Sequence, residues 1–290
     1  MFSEYPDNDT IGRILDDIPF NVERIMTPWS KVIKVRSDEN REKVKELIQE
    51  MDKERIDLIV VTNDGVSPEG TMTKNSLTEY MLTGKFPFMH LIPSDGYFVN
   101  HQTTLLQAAK KMVDLKSNEN QIFFATNEKK ECCGIFNYAD FNKRICYFYT
   151  YGVILMLEQL CRVNIERLFD QSSQMRDEWL NSLGQKDRKK IGEWSVKNGE
   201  SMLSCATLTQ LLEVIAKSNG SDAEIKFLKK YADSSTALNK IRIRVAHPVK
   251  LLVKRNEILD SIRCLIKIWE GRDEISRMLK DRKICRPHHR

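Results

Sequence analysis

Arg242 and His247 are of the types that bind a phosphate and move a proton on it. They lie in Leu238-Asn239-Lys240-Ile241-Arg242-Ile243-Arg244-Val245-Ala246-His247-Pro248, a stretch whose apolar spacing reads as helix. Five positions apart on a helix, the two side chains can reach the same phosphate while Ile241, Val245 and Leu252 face the core, and Arg244 offers a second cation for a phosphate close by. Histidine suits proton transfer because its unperturbed pKa lies near neutrality. The same spacing also fits a His247 that only caps or packs a helix end ahead of Pro248. No metal-ligand set is expected. The seven cysteines show no CxxC spacing, and adjacent Cys132 and Cys133 would project to opposite faces of a strand, so packed reduced thiols fit best. The tail Arg286-Pro287-His288-His289-Arg290 reads as a frayed basic terminus. The absence of GxxxxGK[ST], GxGxxG and GxSxG removes the simplest kinase, dinucleotide and serine-hydrolase readings.

The elements that must hold the Arg–His pair are helices. From Tyr147 onward, strand-like runs disappear; Tyr151, Leu155, Glu158 and Arg162 step along one helix, and 176–183, 202–216, 223–231, 238–252 and 256–279 read as further helices. Gly184, Gly199 and the Ser-Asn-Gly-Ser turn at 218–221 mark breaks. This half is expected to be an antiparallel helical bundle. Ahead of it the pattern repeats at an offset of 64 residues: Val35 maps to Val99, Val44 to Ala108, Gly70 to Gly134 and Leu77 to Phe141. Each copy reads strand, helix, strand, then a Gly-led strand opening a second helix, an α/β sandwich in two pseudo-symmetric halves. The second helix of the second copy, opening near Ala139, is expected to continue into the bundle.

The residues of the repeat carry a family resemblance. Val22-Glu23-Arg24-Ile25-Met26-Thr27-Pro28 looks like the lead-in of a CBS domain, and Gly70-Thr71-Met72-Thr73-Lys74-Asn75-Ser76-Leu77 and Gly134-Ile135-Phe136-Asn137-Tyr138-Ala139-Asp140-Phe141 resemble that family's G-h-h-T-x-x-D-L signature, over roughly residues 18–144. The resemblance implies an adenine-nucleotide sensor. A strand ends at a helix N-terminus, where free N–H groups and the helix dipole favour a phosphate; a Thr hydroxyl donates to it and an Asp accepts from the ribose hydroxyls. The nucleotide-binding residues would be Gly70, Thr73, Gly134, Asn137 and Asp140. The first copy has Ser76 where the Asp is expected, and the second has Asn137 in place of the hydroxyl residue. A purely structural or dimerising repeat pair is the alternative.

The segment around Arg242 and His247 resembles the R-x4-H motif of the HEPN superfamily, whose bundles pair as dimers with two such motifs facing one cleft. In its ribonuclease members the resemblance implies metal-independent cleavage, with His247 moving a proton at the 2′-hydroxyl or leaving oxygen and Arg242 stabilising the phosphorane. This sequence has Ile243 where active members carry a polar residue after the Arg.

Composition sets the frame. The chain of 290 residues, 41% hydrophobic and 30% charged, is large enough for two cores and too ordinary for disorder. The apolar run from Ile145 to Leu157 is too short to span a membrane, and the acidic start MFSEYPDNDT lacks a secretory pattern, so a cytoplasmic, membrane-free protein is expected. Residues 151–290 hold 27 Lys+Arg against 18 Asp+Glu, net +9, and residues 1–150 are net −4. The basic half is where a polyanion would bind, unless its cations merely solvate helix faces. The expected organisation is α+β: an N-terminal extension at 1–17, repeats at 18–86 and 87–145, and a helical domain at 146–290. The expected function is a nucleotide-sensing pair regulating a homodimeric, HEPN-like domain that binds RNA. Endoribonuclease action and a non-catalytic binding module both stay open; no cofactor beyond a regulatory adenine nucleotide is required.

Overall fold

The computed structural model describes residues 8–284 apart from 37, 55, 85–89, 92–95, 118–120, 200 and 248–249. It is α+β. Two compact units are present, one formed by Pro19–Cys146 with Val253–Arg263, the other by Tyr147–Leu252, the residues from Cys264 and the N-terminal segment to Ile18. That segment holds α1 (Asn8–Asp17), so it belongs with the helices.

In the repeat unit, β1 (Thr27–Pro28) precedes β2 (Lys34–Arg36), α2 (Arg41–Glu54), β3 (Leu58–Thr62), β4 (Pro68–Thr73) and α3 (Lys74–Thr83) of the first copy. After β5 (His90–Leu91), the second copy runs β6 (Phe98–Asn100), α4 (Leu105–Asp114), β7 (Phe123–Thr126), β8 (Cys132–Phe136) and a 3-10 turn, Tyr138–Asn142. The sheets are β2-β3-β4-β5 and β1-β8-β7-β6. Each is closed by a two-residue strand that precedes the other copy in the chain, which ties the copies into one body.

The offset of the sequence repeat is kept residue for residue in the hydrogen-bond register. Val35 pairs with Val61 in parallel, as Val99 does with Ala125; Val61 pairs with Gly70 antiparallel, as Ala125 does with Gly134. Both ladders shift at the next residue, Val61/Thr62 and Ala125/Thr126. The cores differ in a compensating way. Where the first copy buries Ile59, Met72 and Leu77, the second buries Phe123, Phe136 and Phe141; where the first buries Val44 and Val61, the second has Ala108 and Ala125. Larger rings are offset by smaller neighbours, as a close-packed interior requires. Phe123 lies 5.3 Å from both Tyr97 and Phe136, ring centre to ring centre.

The second helix of the second copy departs from expectation. Residues 138–142 form a 3-10 turn, Lys143 is extended at φ −72°, ψ 149°, and α5 begins only at Arg144 and ends at Gln171. Asn137 and Asp140 cap the start of that turn, and the extended Lys143 separates it from α5. The apolar run at 145–157 is the first half of α5, whose Val153, Ile154, Leu157, Leu160, Cys161 and Ile165 are buried. Among the described residues no helix is long and apolar enough to cross a membrane.

After α5 the chain forms α6 (Ser173–Ser182), α7 (Gln185–Asn198), α8 (Leu208–Lys217), α9 (Ala223–Ala232), α10 (Ser235–Ala246), α11 (Ile258–Glu270) and α12 (Arg272–Ile284), with α11 up to Arg263 counted in the repeat unit and the rest in the helical unit. Two expected helices are shorter than their apolar spacing implies. The stretch 202–216 is a 3-10 turn followed by α8, because Thr207 and Gln210 form a capping box that starts a new helix. The stretch 256–279 breaks at Gly271, where a Cβ would collide with the Tyr231 hydroxyl; that hydroxyl donates to the Lys267 carbonyl at 3.3 Å. The helix expected over 238–252 also ends early, with consequences for the site.

Candidate functional site

In both copies a Gly-led strand ends on a helical N-cap. Thr73 is extended at φ −80°, ψ 156° and caps α3, its Oγ1 accepting from the Ser76 amide at 3.1 Å and lying 2.9 Å from Ser76 Oγ. Ser76 therefore partners the cap. Asn137 holds the equivalent place: its Oδ1 accepts from the Ala139 amide at 2.8 Å, and Asp140 Oδ2 accepts from the Asn137 amide at 2.8 Å. Asp140 Oδ1 pairs with Lys143 Nζ at 2.8 Å, with the carboxylate side chain 16% exposed. Burial raises the Asp140 carboxyl above its ordinary value, against the pull of the Lys143 ammonium and the Asn137 amide. The same ammonium donates to the carbonyls of Ile25 and Met26.

Gly70 and Gly134 sit between strands on both sides, Gly70 facing Val61 and Leu91, Gly134 facing Ala125 and Pro28. At Gly134 a Cβ would lie 2.8 Å from both Met26 Sδ and the Thr27 carbonyl oxygen, so the lead-in presses directly onto the signature strand.

In the helical unit, Arg242 and His247 do not share a helix. α10 ends at Ala246, and His247 is its C-cap at φ −125°, ψ 84°. Pro248 explains this, because a proline disfavours helical backbone at the residue before it. His247 is exposed. Pro248 itself lies outside the described residues. Arg242 is half-buried, and its Nε donates to Glu158 Oε1 at 2.5 Å. Glu158, on α5, is 4% exposed in its side chain and also accepts from Arg162 at 3.2 Å. The expectation for Arg244 is corrected: it is buried at 6% exposure, and its Nη1 donates to the Leu252 carbonyl at 2.9 Å. Tyr147 reaches the same segment, donating to the Lys250 carbonyl at 2.5 Å and accepting from the Leu252 amide at 3.2 Å. Arg244 thus clamps the chain leaving α10 and is not presented to a polyanion.

No protein-family model and no curated protein matches this sequence. Solved CBS-domain structures are similar to its N-terminal part. A CBS-domain pair with bound AMP from Klebsiella pneumoniae is 16% identical, covering 43% of this chain and 98% of that one, at a TM-score of 0.35. A Hemolysin-like protein containing a CBS domain from Oenococcus oeni is 13% identical over 47% and 95%, at 0.35. The CBS domain of the bacterial CNNM/CorC family Mg2+ transporter, in complex with ATP, is 18% identical over 47% and 94%, at 0.34.

Three residues escaped the sequence reading. Helical spacing alone gives Glu158 no role, although it is the first carboxylate after the apolar run at 145–157, and a charge entering a buried face calls for a partner. Arg162, one turn on, is one such partner. Lys143 gave no signal, because only the fold brings it to Asp140 and the lead-in carbonyls. Among the described residues no group of three or more His, Cys, Asp or Glu could hold a metal ion. Cys285 and the tail at 286–290 lie outside the described residues.

Proposed function

We propose that the chain is a ligand-regulated RNA-binding protein: the repeat pair takes an adenine nucleotide, and the helical unit, paired with a second copy, binds RNA and cleaves it at His247. The observation that carries the reading is an exposed imidazole released from the end of α10, with the Arg242 guanidinium on that same helix held by the buried Glu158. In the step envisaged, His247 takes the proton of a 2′-hydroxyl, the 2′-oxygen bonds to phosphorus, and the bond to the 5′-oxygen breaks. That oxygen takes up a proton, leaving a 2′,3′-cyclic phosphate and a 5′-hydroxyl. Arg242 places positive charge beside the phosphorane.

The nucleotide part rests on the two capped junctions, where Thr73 supplies a hydroxyl and Asp140 a desolvated carboxylate. Calorimetric titration of the full chain with AMP, ATP and cyclic dinucleotides tests it. Heat from an adenine nucleotide that vanishes in Asp140→Ala supports the reading; no heat from any of them removes it. A second reading, a non-catalytic binding module, is favoured by the engagement of Asp140 with Lys143 and Asn137 and by the apolar Ile243, 38% exposed, beside Arg242.

A further inference from the structure

Helix α7 spans 14 residues, yet among its described side chains only Ile191 is buried. Its neighbour α6 is held by Trp179, 7% exposed, whose ring centre lies 5.6 Å from that of Phe169. The helical repeat brings Lys186, Lys190, Trp194 and Lys197 to one side at i, i+4, i+8 and i+11, with Trp194 at the edge of that side next to Ile191. All four are exposed, and the Trp194 indole is 54% accessible. Across Gln185–Asn198 five basic residues face two acidic ones, Asp187 and Glu193. Glu193 is 3.7 Å from Lys189. Among the described residues no carboxylate pairs with Lys186, Lys190 or Lys197.

An accessible indole set within a row of ammonium groups is the combination that holds a single-stranded nucleic acid, cations on phosphates and a ring on a base. A duplex keeps its bases stacked and offers none to the ring. A membrane surface would require the aromatic on an apolar stripe opposite the cations, whereas Trp194 has lysines one turn to either side. The row from Lys186 to Lys197 is about 16 Å long at the helical rise, about five nucleotides at the stacked spacing of one strand.

We propose that the Lys186, Lys190, Trp194 and Lys197 face of α7 docks single-stranded RNA, the lysines neutralising phosphates and the indole stacking on a base. The proposal rests on the helical unit binding RNA and is independent of chemistry at Arg242 and His247. It is tested with the full chain and a labelled 2′-O-methyl RNA 12-mer, which cannot be cleaved, by fluorescence anisotropy. Trp194→Ala is expected to weaken binding about five- to a hundredfold, with Trp194→Phe recovering most of it. The triple change Lys186→Gln, Lys190→Gln, Lys197→Gln is expected to lower the slope of log affinity against log salt by about 2. A parent chain that binds the 12-mer but leaves unmodified RNA uncleaved retains this proposal and loses only the catalytic reading. Parent-like binding by both Trp194→Ala and the triple variant overturns it, as does binding to phosphatidylserine vesicles with none to the RNA.

Discussion

Arg242 Nε donates to Glu158 Oε1 at 2.5 Å, and the carboxylate that receives it is 4% exposed. Arg162, 20% exposed, donates to the other oxygen of the same carboxylate at 3.2 Å. A buried charge costs several kcal/mol unless paired, so one carboxylate fixes two guanidinium groups. Removing either arginine leaves the other in place, and Arg242→Ala or Arg162→Ala alone should cost about 1–3 kcal/mol. The double variant strands Glu158, and the loss should rise to about 3–5 kcal/mol or beyond the sum of the singles. Urea unfolding of the four proteins in a double-mutant cycle reads the coupling; strict additivity would show that Glu158 does not hold them jointly.

Gly134 and Gly192 should respond in opposite directions to alanine. A Cβ at Gly134 would lie 2.8 Å from the Thr27 carbonyl oxygen, a main-chain atom, while one at Gly192, inside α7, would meet nothing within 4 Å. Gly134→Ala should destabilise by about 1–3 kcal/mol, and Gly192→Ala should stabilise by about 0.5–1 kcal/mol through helix propensity. Thermal unfolding compares them; equal shifts would mean the lead-in is not pressed onto β8.

At Asp140 the cap and the charge can be separated. Asp140→Asn keeps an oxygen for the Asn137 amide, and because burial already favours the neutral carboxyl, the change should stay within about 1 kcal/mol. Asp140→Ala removes the cap and should cost about 1–2 kcal/mol. Chemical denaturation at neutral pH distinguishes this from dominance of the Lys143 pair, in which case both variants would lose stability alike.

Alkaline pH should unfold the chain through its thiols. Burial pushes Cys132 and Cys264 from an ordinary 9.0 up to about 11, and raises Cys146 and Cys161 further. The folded state keeps these thiols neutral, so their contribution is whole below about pH 9 and is lost as pH rises through about 11. The unfolding midpoint should fall across that window, and more shallowly in Cys264→Ala. An unchanged slope would mean that Cys264 ionises as freely in the fold as outside it.

The repeat was legible because its spacing survives in the chain: the offset linking Gly70 to Gly134 also sets the β-ladder register, down to the shift after Val61 and Ala125. The exchanged strands β1 and β5 were not, since two-residue strands leave no periodicity and their partners are set by the fold, Ile135 and Gly134 for β1, Gly70 and Thr71 for β5. In the helical unit apolar spacing marked where helices could run, but local chemistry decided where they stop. Thr207 with Gln210, Gly271 against Tyr231, and Pro248 after His247 each ended or started a helix inside a continuous apolar pattern. Arg244 illustrates the limit most sharply, since charge alone suggested a surface contact and the fold made it a buried clamp on Leu252.

The most direct test is RNA cleavage in EDTA by the parent chain, His247→Ala and Arg242→Ala, with product ends identified. The account predicts that the parent cleaves in chelator to leave 2′,3′-cyclic phosphates and that each variant, folded by circular dichroism, loses about a hundredfold or more of the rate. Cleavage that is equal in all three proteins, or absent from the parent, would contradict it.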